Sequence, residues 1–202
     1  MSDLRLRKAE TADVQVLADI HMEAFADSPV SMRSFPQTDP NARAHTKALV
    51  ERFLAEEDSD VVVAETASGE IAGWIRWHHH KDYSPPTERQ IFKPETYPET
   101  GDQKFAASFS QDMYDATHKV MKDDKEWWFL STVVVRDSWQ RKGVGSKLIK
   151  YKMDEVNDKN LVAYVNASKK GRELYEKFGF RTVDVTDSGY EVITHHMRRA
   201  PV

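Results

Sequence analysis

A glycine-containing turn in the middle of the chain joins an apolar segment to an amphipathic one. Residues 127–135 are apolar and rich in Trp and Val, which predicts a β-strand. Residues 146–156 have the spacing of apolar positions that predicts a helix. The turn between them contains Gln140-Arg141-Lys142-Gly143-Val144-Gly145. Backbone N–H groups at the start of a helix have no partner inside it, and the helix dipole adds partial positive charge there. The sequence therefore predicts a phosphate-binding site at this turn.

The spacing of the glycines excludes two common nucleotide-binding motifs. A Walker loop requires the pattern G-x-x-x-x-G-K-[ST], which the turn does not contain. The dinucleotide fingerprint requires a third glycine three residues after Gly145, where the chain has Leu148. Gly143 and Gly145 have no Cβ, so the backbone could approach an oxygen-rich ligand closely at either position. Spaced glycines also occur in turns that bind nothing, so the motif needs support from elsewhere in the chain.

The composition narrows the classes of protein to which the chain can belong. Its 202 residues carry a net charge of -4 and include no cysteine. A chain of this length is expected to form one domain, 1–202. The slightly acidic balance disfavours a nucleic-acid partner, which would require a basic face. The lack of cysteine excludes disulfides, thiolate metal sites and a cysteine nucleophile. The sequence shows no secretory signal and no apolar stretch of about 18 residues, so we expect a soluble, cytoplasmic protein without a membrane partner.

Apolar periodicity predicts strands and helices in the order β-α-α-β-β-α-β-α-β-α-β-β. The predicted strands are 4–7, 61–65, 71–77, 127–135, 161–165, 180–185 and 190–197. The predicted helices are 11–25, with Thr11 as the N-cap, 41–56, 104–121, 146–156 and 168–178. This succession predicts a mixed α/β fold. Residues 78–101 are proline-rich and lack periodicity, which is typical of a functional or mobile connection. Three consecutive histidines, 78–80, raise the question of a metal site, but alternate faces of a strand separate them, and we expect a surface turn instead.

A second motif lies in residues 168–180, which follow the pattern S-x-x-G-x-x-L-Y-x-x-x-G-F. Gly171, Leu174, Tyr175 and Phe178 share one face of the predicted helix. Taken alone, this face indicates core packing with one tyrosine. Taken with the earlier glycine turn, it makes the chain resemble the GCN5-related N-acetyltransferases (the GNAT family) from the first strand to the last.

The resemblance implies a mixed, mostly antiparallel central sheet with helices on both faces and a splayed pair formed by the fourth and fifth strands. It implies an extended connection at about 78–125. It also implies acetyl-CoA as the cofactor, with CoA as the product and no metal. The residues implied to contact the cofactor are Val133, Val134, Val135, Gln140, Arg141, Lys142, Gly143, Val144, Gly145, Ser146, Asn166, Ser168, Gly171 and Tyr175.

The resemblance further implies that Tyr175 is the catalytic acid, which protonates the departing CoA thiolate. Backbone groups of Val133 to Val135 are implied to bind the pantetheine chain and the oxyanion. The chain departs from the family pattern at Asp137, where many members have proline, and at Ser168, where many have asparagine. The general base stays unassigned. Its candidates by region are Glu23, Asp112, Asp115 and Glu126, for each of which a solvated surface carboxylate is the alternative.

The resemblance implies an acceptor site bordered by roughly 25–40, 78–118 and 186–190. Aromatic residues in the first two of these regions suit a pocket for a small-molecule amine, which we expect to be the acceptor. The aromatic residues in question are Phe25, Phe35, Tyr83, Phe92 and Tyr97. The alternatives are a peptide or protein amine, a non-amine acceptor, a longer acyl chain, or a non-catalytic acyl-CoA sensor or scaffold. The sequence leaves a monomer and a homodimer equally open.

Overall fold

The computed structural model describes residues 4–201. Its seven strands form one sheet with the spatial order β1-β2-β3-β4-β5-β7-β6. Every neighbouring pair is antiparallel except β4 and β5, which are parallel. The strands are β1 Arg5–Lys8, β2 Ser59–Glu65, β3 Ile71–His80, β4 Trp127–Val135, β5 Val162–Ser168, β6 Arg181–Asp187 and β7 Ile193–Arg199. The mixed, mostly antiparallel sheet predicted from the sequence is confirmed.

Helices cover both faces of this sheet. They are α1 Val14–Ala24, α2 Pro29–Ser34, α3 Pro40–Ala55, α4 Gln103–Met121, α5 Val144–Asp158 and α6 Arg172–Glu176. On one face, α5 packs Leu148 and Ile149 into a cluster with Trp128. On the other face, Leu17 of α1 clusters with Trp74 of β3, and Met121 of α4 clusters with Trp127 of β4. The neighbouring tryptophans of β4 thus lie on opposite faces, as the alternation of a strand requires.

Three details of the helices differ from the prediction. An additional short helix, α2, begins at Pro29, where proline at the first helical position loses no hydrogen bond. Thr11 does not cap a long helix; it starts a 3-10 turn, and the N–H of Glu10 donates to the Asp13 carboxylate over 2.8 Å. The last predicted helix shortens to α6, because the N–H of Gly171 turns back to the Ser168 carbonyl over 3.0 Å.

The predicted surface turn at the three histidines is wrong. His78 to His80 belong to β3 and pair with Trp127 to Phe129 of β4. The ring of His79 stacks on Trp128 with centroids 4.2 Å apart, and the ring of His80 stacks on Trp127 at 3.9 Å. Their neighbours are therefore indole rings. Within residues 4–201 no group of three or more His, Asp or Glu side chains could hold a metal ion.

The connection from β3 to α4 runs from residue 81 to 102 and contains one 3-10 turn, Pro94–Thr96. A backbone hydrogen bond near each end ties the connection to the rest of the fold. The Tyr83 N–H donates to the Lys125 carbonyl over 2.6 Å, and the Asp102 N–H donates to the Arg33 carbonyl over 2.8 Å.

None of the helices within residues 4–201 combines the length and the apolar character that a membrane-spanning segment requires.

Candidate active site

Strands β4 and β5 part halfway along their length and leave an opening between them, here called the fork. Their parallel pairing runs from Trp127 opposite Val162 to Leu130 opposite Val165. Beyond that point β4 stays paired with β3 as far as Val135, and β5 stays paired with β7 as far as Ser168. The fork is thus bordered by residues 131–135 on one side and 166–168 on the other. This is the splayed pair expected from the sequence.

Two residues of β4 direct backbone groups into the fork. The N–H of Arg136 donates to the Ala72 carbonyl of β3 over 3.0 Å. Because backbone groups alternate between the two edges of a strand, Val134 also faces β3, whereas Val133 and Val135 face the fork. In agreement, the Val135 carbonyl accepts a hydrogen bond from Gln140 Nε2 at 3.3 Å, on the side away from β3. Val134 itself packs its side chain into the α1 cluster.

The glycine turn lies at the mouth of the fork. Arg141 and Gly143 both have positive φ, 61° and 82°, and α5 begins directly after Gly143. Within the described residues, the N–H groups of 141–146 donate no hydrogen bond, so six consecutive donors are available to a ligand. Lys142 lies over the Trp139 ring, with Nζ 5.2 Å from its centroid. Lys147 is directed away from this turn, and its Nζ donates to the Leu4 carbonyl.

The two sequence motifs meet at Gly145. A Cβ added there would lie 3.4 Å from the Leu174 side chain and 3.9 Å from the side chains of Val133 and Val135. The start of α5, the end of β4 and the α6 segment therefore pack against one another. At Gly143 an added Cβ would meet nothing within 4 Å, so the positive φ is what favours glycine at that position.

Tyr175 packs beside the same junction. Its ring centroid lies 6.0 Å from that of Phe180, and a Cβ on Gly171 would come within 3.3 Å of the ring. The hydroxyl has no hydrogen-bond partner within the part of the chain that is described. Burial raises the pKa of Tyr175 to about 12, so the phenol stays protonated at neutral pH. Nearby, Ser168 Oγ accepts from the Gly171 N–H at 3.1 Å and fixes the entry to α6.

Asn166 belongs to a hydrogen-bonded network on the α4 side of the sheet. Its Oδ1 accepts from the Tyr164 hydroxyl at 2.6 Å and lies 2.8 Å from His196 Nδ1. The opposite ring nitrogen of His196 lies 2.8 Å from Thr186 Oγ1. Sequence reasoning missed this network, whose only sequence signal is the i, i+2 placement of Tyr164 and Asn166 on one strand face. A contact between Asn166 and the cofactor stays a prediction.

The four carboxylates considered as general bases all have partners. Glu23 accepts from Arg136 Nη1 at 3.0 Å and from the Asp137 N–H at 2.8 Å. The others are held by different groups: Asp112 by the Ser188 hydroxyl at 2.6 Å, Asp115 by Arg89 Nε at 2.9 Å, and Glu126 by His79 Nε2 at 2.9 Å. The hydrogen bond from Arg89 lowers the pKa of the Asp115 carboxyl. Each of the four thus already accepts at least one hydrogen bond, and the general base stays unassigned.

His21 of α1 is a further titratable group, and it packs among aromatic rings. Its ring lies between Phe25, with centroids 4.8 Å apart, and Trp74, at 5.9 Å. Burial lowers the pKa of His21 to about 4, so the ring is neutral at physiological pH. Among residues 4–201, Nδ1 of His21 has no hydrogen-bond partner.

The expected aromatic pocket is divided in the structure. Arg33 of α2 lies 3.5 Å over the Tyr190 ring and forms an ion pair with Asp102 at 2.6 Å. Phe35 and Tyr97 join this side, with centroids 6.2 Å apart. Two of the expected residues lie elsewhere: Tyr83 packs on Trp127 at 5.4 Å, and Phe92 packs on Tyr114 at 5.9 Å. Both sit against parts of α4 and β4 away from α2, because the long connection runs along α4.

Comparisons with known proteins agree with this geometry. A sequence model of the acetyltransferase (GNAT) domain matches residues 95–200, more than half of the chain. Among solved structures, the histone acetyltransferase HPA2 and related acetyltransferase from Corynebacterium glutamicum has 25% identity and a TM-score of 0.67, with 100% of this chain and 98% of that chain covered.

Two further structures share the fold. Mosquito arylalkylamine N-acetyltransferase like 5b has 14% identity and a TM-score of 0.70, with 98% of this chain and 100% of that chain covered. YncA from Salmonella typhimurium, solved with its cofactor acetyl-CoA, has 15% identity and a TM-score of 0.59, with 98% of this chain and 94% of that chain covered. No curated protein sequence matches the chain. The family match, together with the splayed sheet, shows that the chain belongs to the GNAT acetyltransferases and is an acyltransferase.

Proposed function

We propose that the protein transfers an acetyl group from acetyl-CoA to the primary amine of a small molecule, by direct attack in a ternary complex. The observation that carries this proposal is the fork with the six N–H donors of residues 141–146 at its mouth. Such a row of donors at a helix start suits a pyrophosphate. The fork provides unpaired strand edges along which a pantetheine chain can bind, through Val133 and Val135.

The chain's own groups fit the chemistry of acyl transfer. Bound acetyl-CoA supplies the activated acetyl thioester. The N–H groups that face the fork can donate to an oxyanion. The Tyr175 hydroxyl, protonated because burial raises its pKa to about 12, can donate a proton to the leaving sulfur. Since the carboxylates nearby are held by partners, we expect the proton of the attacking amine to leave through water.

The contacts on the expected acceptor side favour a small amine. Arg33, Tyr190 and Asp102 tie α2, the β6–β7 connection and the start of α4 together in the regions where the acceptor is expected. The net charge of -4 favours a cationic acceptor. Two structural neighbours are named as arylalkylamine N-acetyltransferases, and both cover at least 98% of this chain.

A peptide or protein amine is the second candidate. The neighbour at 25% identity is named as a histone acetyltransferase. Tyr190 and Met32, near the acceptor side, are 60% and 55% exposed, and such apolar side chains can contact a peptide.

The test is a thiol-release assay with acetyl-CoA and a panel of arylalkylamines, aliphatic amines and a lysine peptide, together with calorimetry of CoA. We expect heat with CoA and turnover with at least one small amine at a kcat/KM above that of the peptide. Gly143→Val should abolish CoA binding, because valine cannot adopt the positive φ, whereas Gly143→Asn should retain it. Binding without turnover would indicate a sensor, turnover of the peptide alone would indicate the second candidate, and the absence of CoA heat would overturn the proposal.

A further inference from the structure

A single extra residue marks the point at which the fork opens. Along β4, Leu130 lies opposite Trp77 and Thr132 lies opposite Arg76, so Ser131 has no counterpart on β3. This is a β-bulge, which bends a strand and increases its twist. The parallel pairing with β5 ends at Leu130, directly before the bulge. The bulge and the parting of the strands therefore coincide.

Arg76 contacts this bulge from the neighbouring strand. Its Nη1 donates to Ser131 Oγ at 2.9 Å. The residue is only 7% exposed, and its remaining donors are also engaged: Nε donates to Ser59 Oγ at 2.9 Å, and Nη2 donates to the Glu56 carboxylate. The guanidinium carbon lies 4.1 Å from the centroid of the Phe53 ring. The guanidinium is thus fixed by α3 and β2, and the hydroxyl of the bulge is its contact with β4.

We propose that Arg76 is a positioning residue that holds Ser131 in the bulge and thereby keeps the fork open for the cofactor. The inference rests on the proposed function only in that the fork is taken as the cofactor site.

The physical reason is competition for the same backbone groups. A regular β4 could continue its pairing with β5, and the N–H groups of Val133 and Val135 would then be used in the sheet. An extra residue in a strand can shift to a neighbouring position unless something fixes it. A buried guanidinium whose donors are all hydrogen-bonded favours one arrangement of the neighbouring strand, because any other arrangement would leave some of those donors unpaired.

The test compares two serines that accept the same kind of hydrogen bond from Arg76. Ser131→Ala removes the hydroxyl on the bulge, and Ser59→Ala removes the hydroxyl on β2, each 2.9 Å from the guanidinium. We expect Ser131→Ala to weaken CoA binding about tenfold, since bonds to charged groups are the stronger ones. Ser59→Ala should change CoA binding by less than about twofold, although it should lower Tm by about as much as Ser131→Ala does. Ser131→Thr keeps the hydroxyl and should restore CoA binding.

A second measurement needs no ligand. Hydrogen exchange of the Val133 and Val135 amides should be fast in the wild type and Ser59→Ala, and slower in Ser131→Ala, in which β4 can pair with β5. Equal CoA affinities and equal exchange in the two alanine variants would overturn the inference. If the wild type itself bound no CoA, the proposed function would fail, while the exchange data would still decide the role of Arg76.

Discussion

Gly143 directly precedes α5 and Gly145 is its second residue, and glycine is favoured at each position for a different reason. Gly143 has a φ of 82° with open space around its missing Cβ, so backbone conformation is the reason there. Gly145 lies where a Cβ would be 3.4 Å from Leu174, so the reason there is the approach of α5 to the α6 segment. The sequence pattern shows both glycines, but it does not separate these reasons.

Tyr175→Phe tests the proposed acid at the level of one atom. The ring would keep its packing on Phe180, so we expect the affinity for CoA to stay unchanged. The kcat should fall about 100-fold, the lower range for loss of a general acid. Because the pKa of Tyr175 is raised to about 12, deprotonation of this group should not lower the wild-type kcat at any pH up to about 10.

Tyr151→Phe, at a 40% exposed position on α5, is the matched control and should keep the full kcat. Steady-state kinetics and CoA calorimetry measure both variants. An unchanged kcat in Tyr175→Phe, with CoA still bound, would rule out this residue as the acid.

At the scale of elements, the docking of α2 on α4 depends on Gly101. A Cβ there would clash with the Ser34 carbonyl oxygen and lie 2.9 Å from the Arg33 carbonyl oxygen. Both obstacles are backbone atoms of α2 and cannot rotate away. Gly101→Ala should therefore separate α2 from α4 and disturb the acceptor side, raising the KM for the amine several-fold at an unchanged KM for acetyl-CoA.

Gly69→Ala provides the control for stability alone. Gly69 lies in the β2–β3 turn with a φ of 85° and open space around it, so alanine would strain only that turn. Its KM for the amine should match that of the wild type. A rise in both KM values in Gly101→Ala, or in neither, would contradict the assignment of α2 to the acceptor side.

At the scale of the whole molecule, buried histidines make stability depend on pH. Burial lowers the pKa of both His21 and His80 from 6.5 to about 4. Between these values the unfolded chain binds more protons than the folded one, so acidification favours unfolding. The free energy of unfolding begins to fall as the pH drops below 6.5, and each histidine lowers it by up to about 3 kcal/mol near pH 4.

Urea unfolding at pH 8 and pH 4.5 measures this effect. At pH 8 both histidines are neutral in the folded and unfolded states and contribute no difference. The variant His21→Leu should lose less free energy of unfolding between the two pH values than the wild type does. An equal loss in both proteins would show that His21 is not held neutral by its burial.

Several features of this protein follow from residues close together in the chain. The seven strands, α1 and α3 to α5 were predicted near their observed positions, because periodicity and turn residues act over a few neighbours. The β7 start was placed too early, since Tyr190 and Glu191 adopt positive φ values of 52° and 63° that no pattern indicates. The motifs around Gly143 and Tyr175 were visible for the same local reason, and the family followed from them.

Tertiary structure decided which side chains meet. Arg76 and Ser131 are 55 positions apart, and Glu23 and Arg136 are 113 apart. The sequence therefore determined the strands, most of the helices and the two motifs, which depend on local backbone preference. Only the packed sheet decided where β4 bulges, which carboxylates are already paired and which N–H groups face the fork, because those depend on contacts between distant parts of the chain.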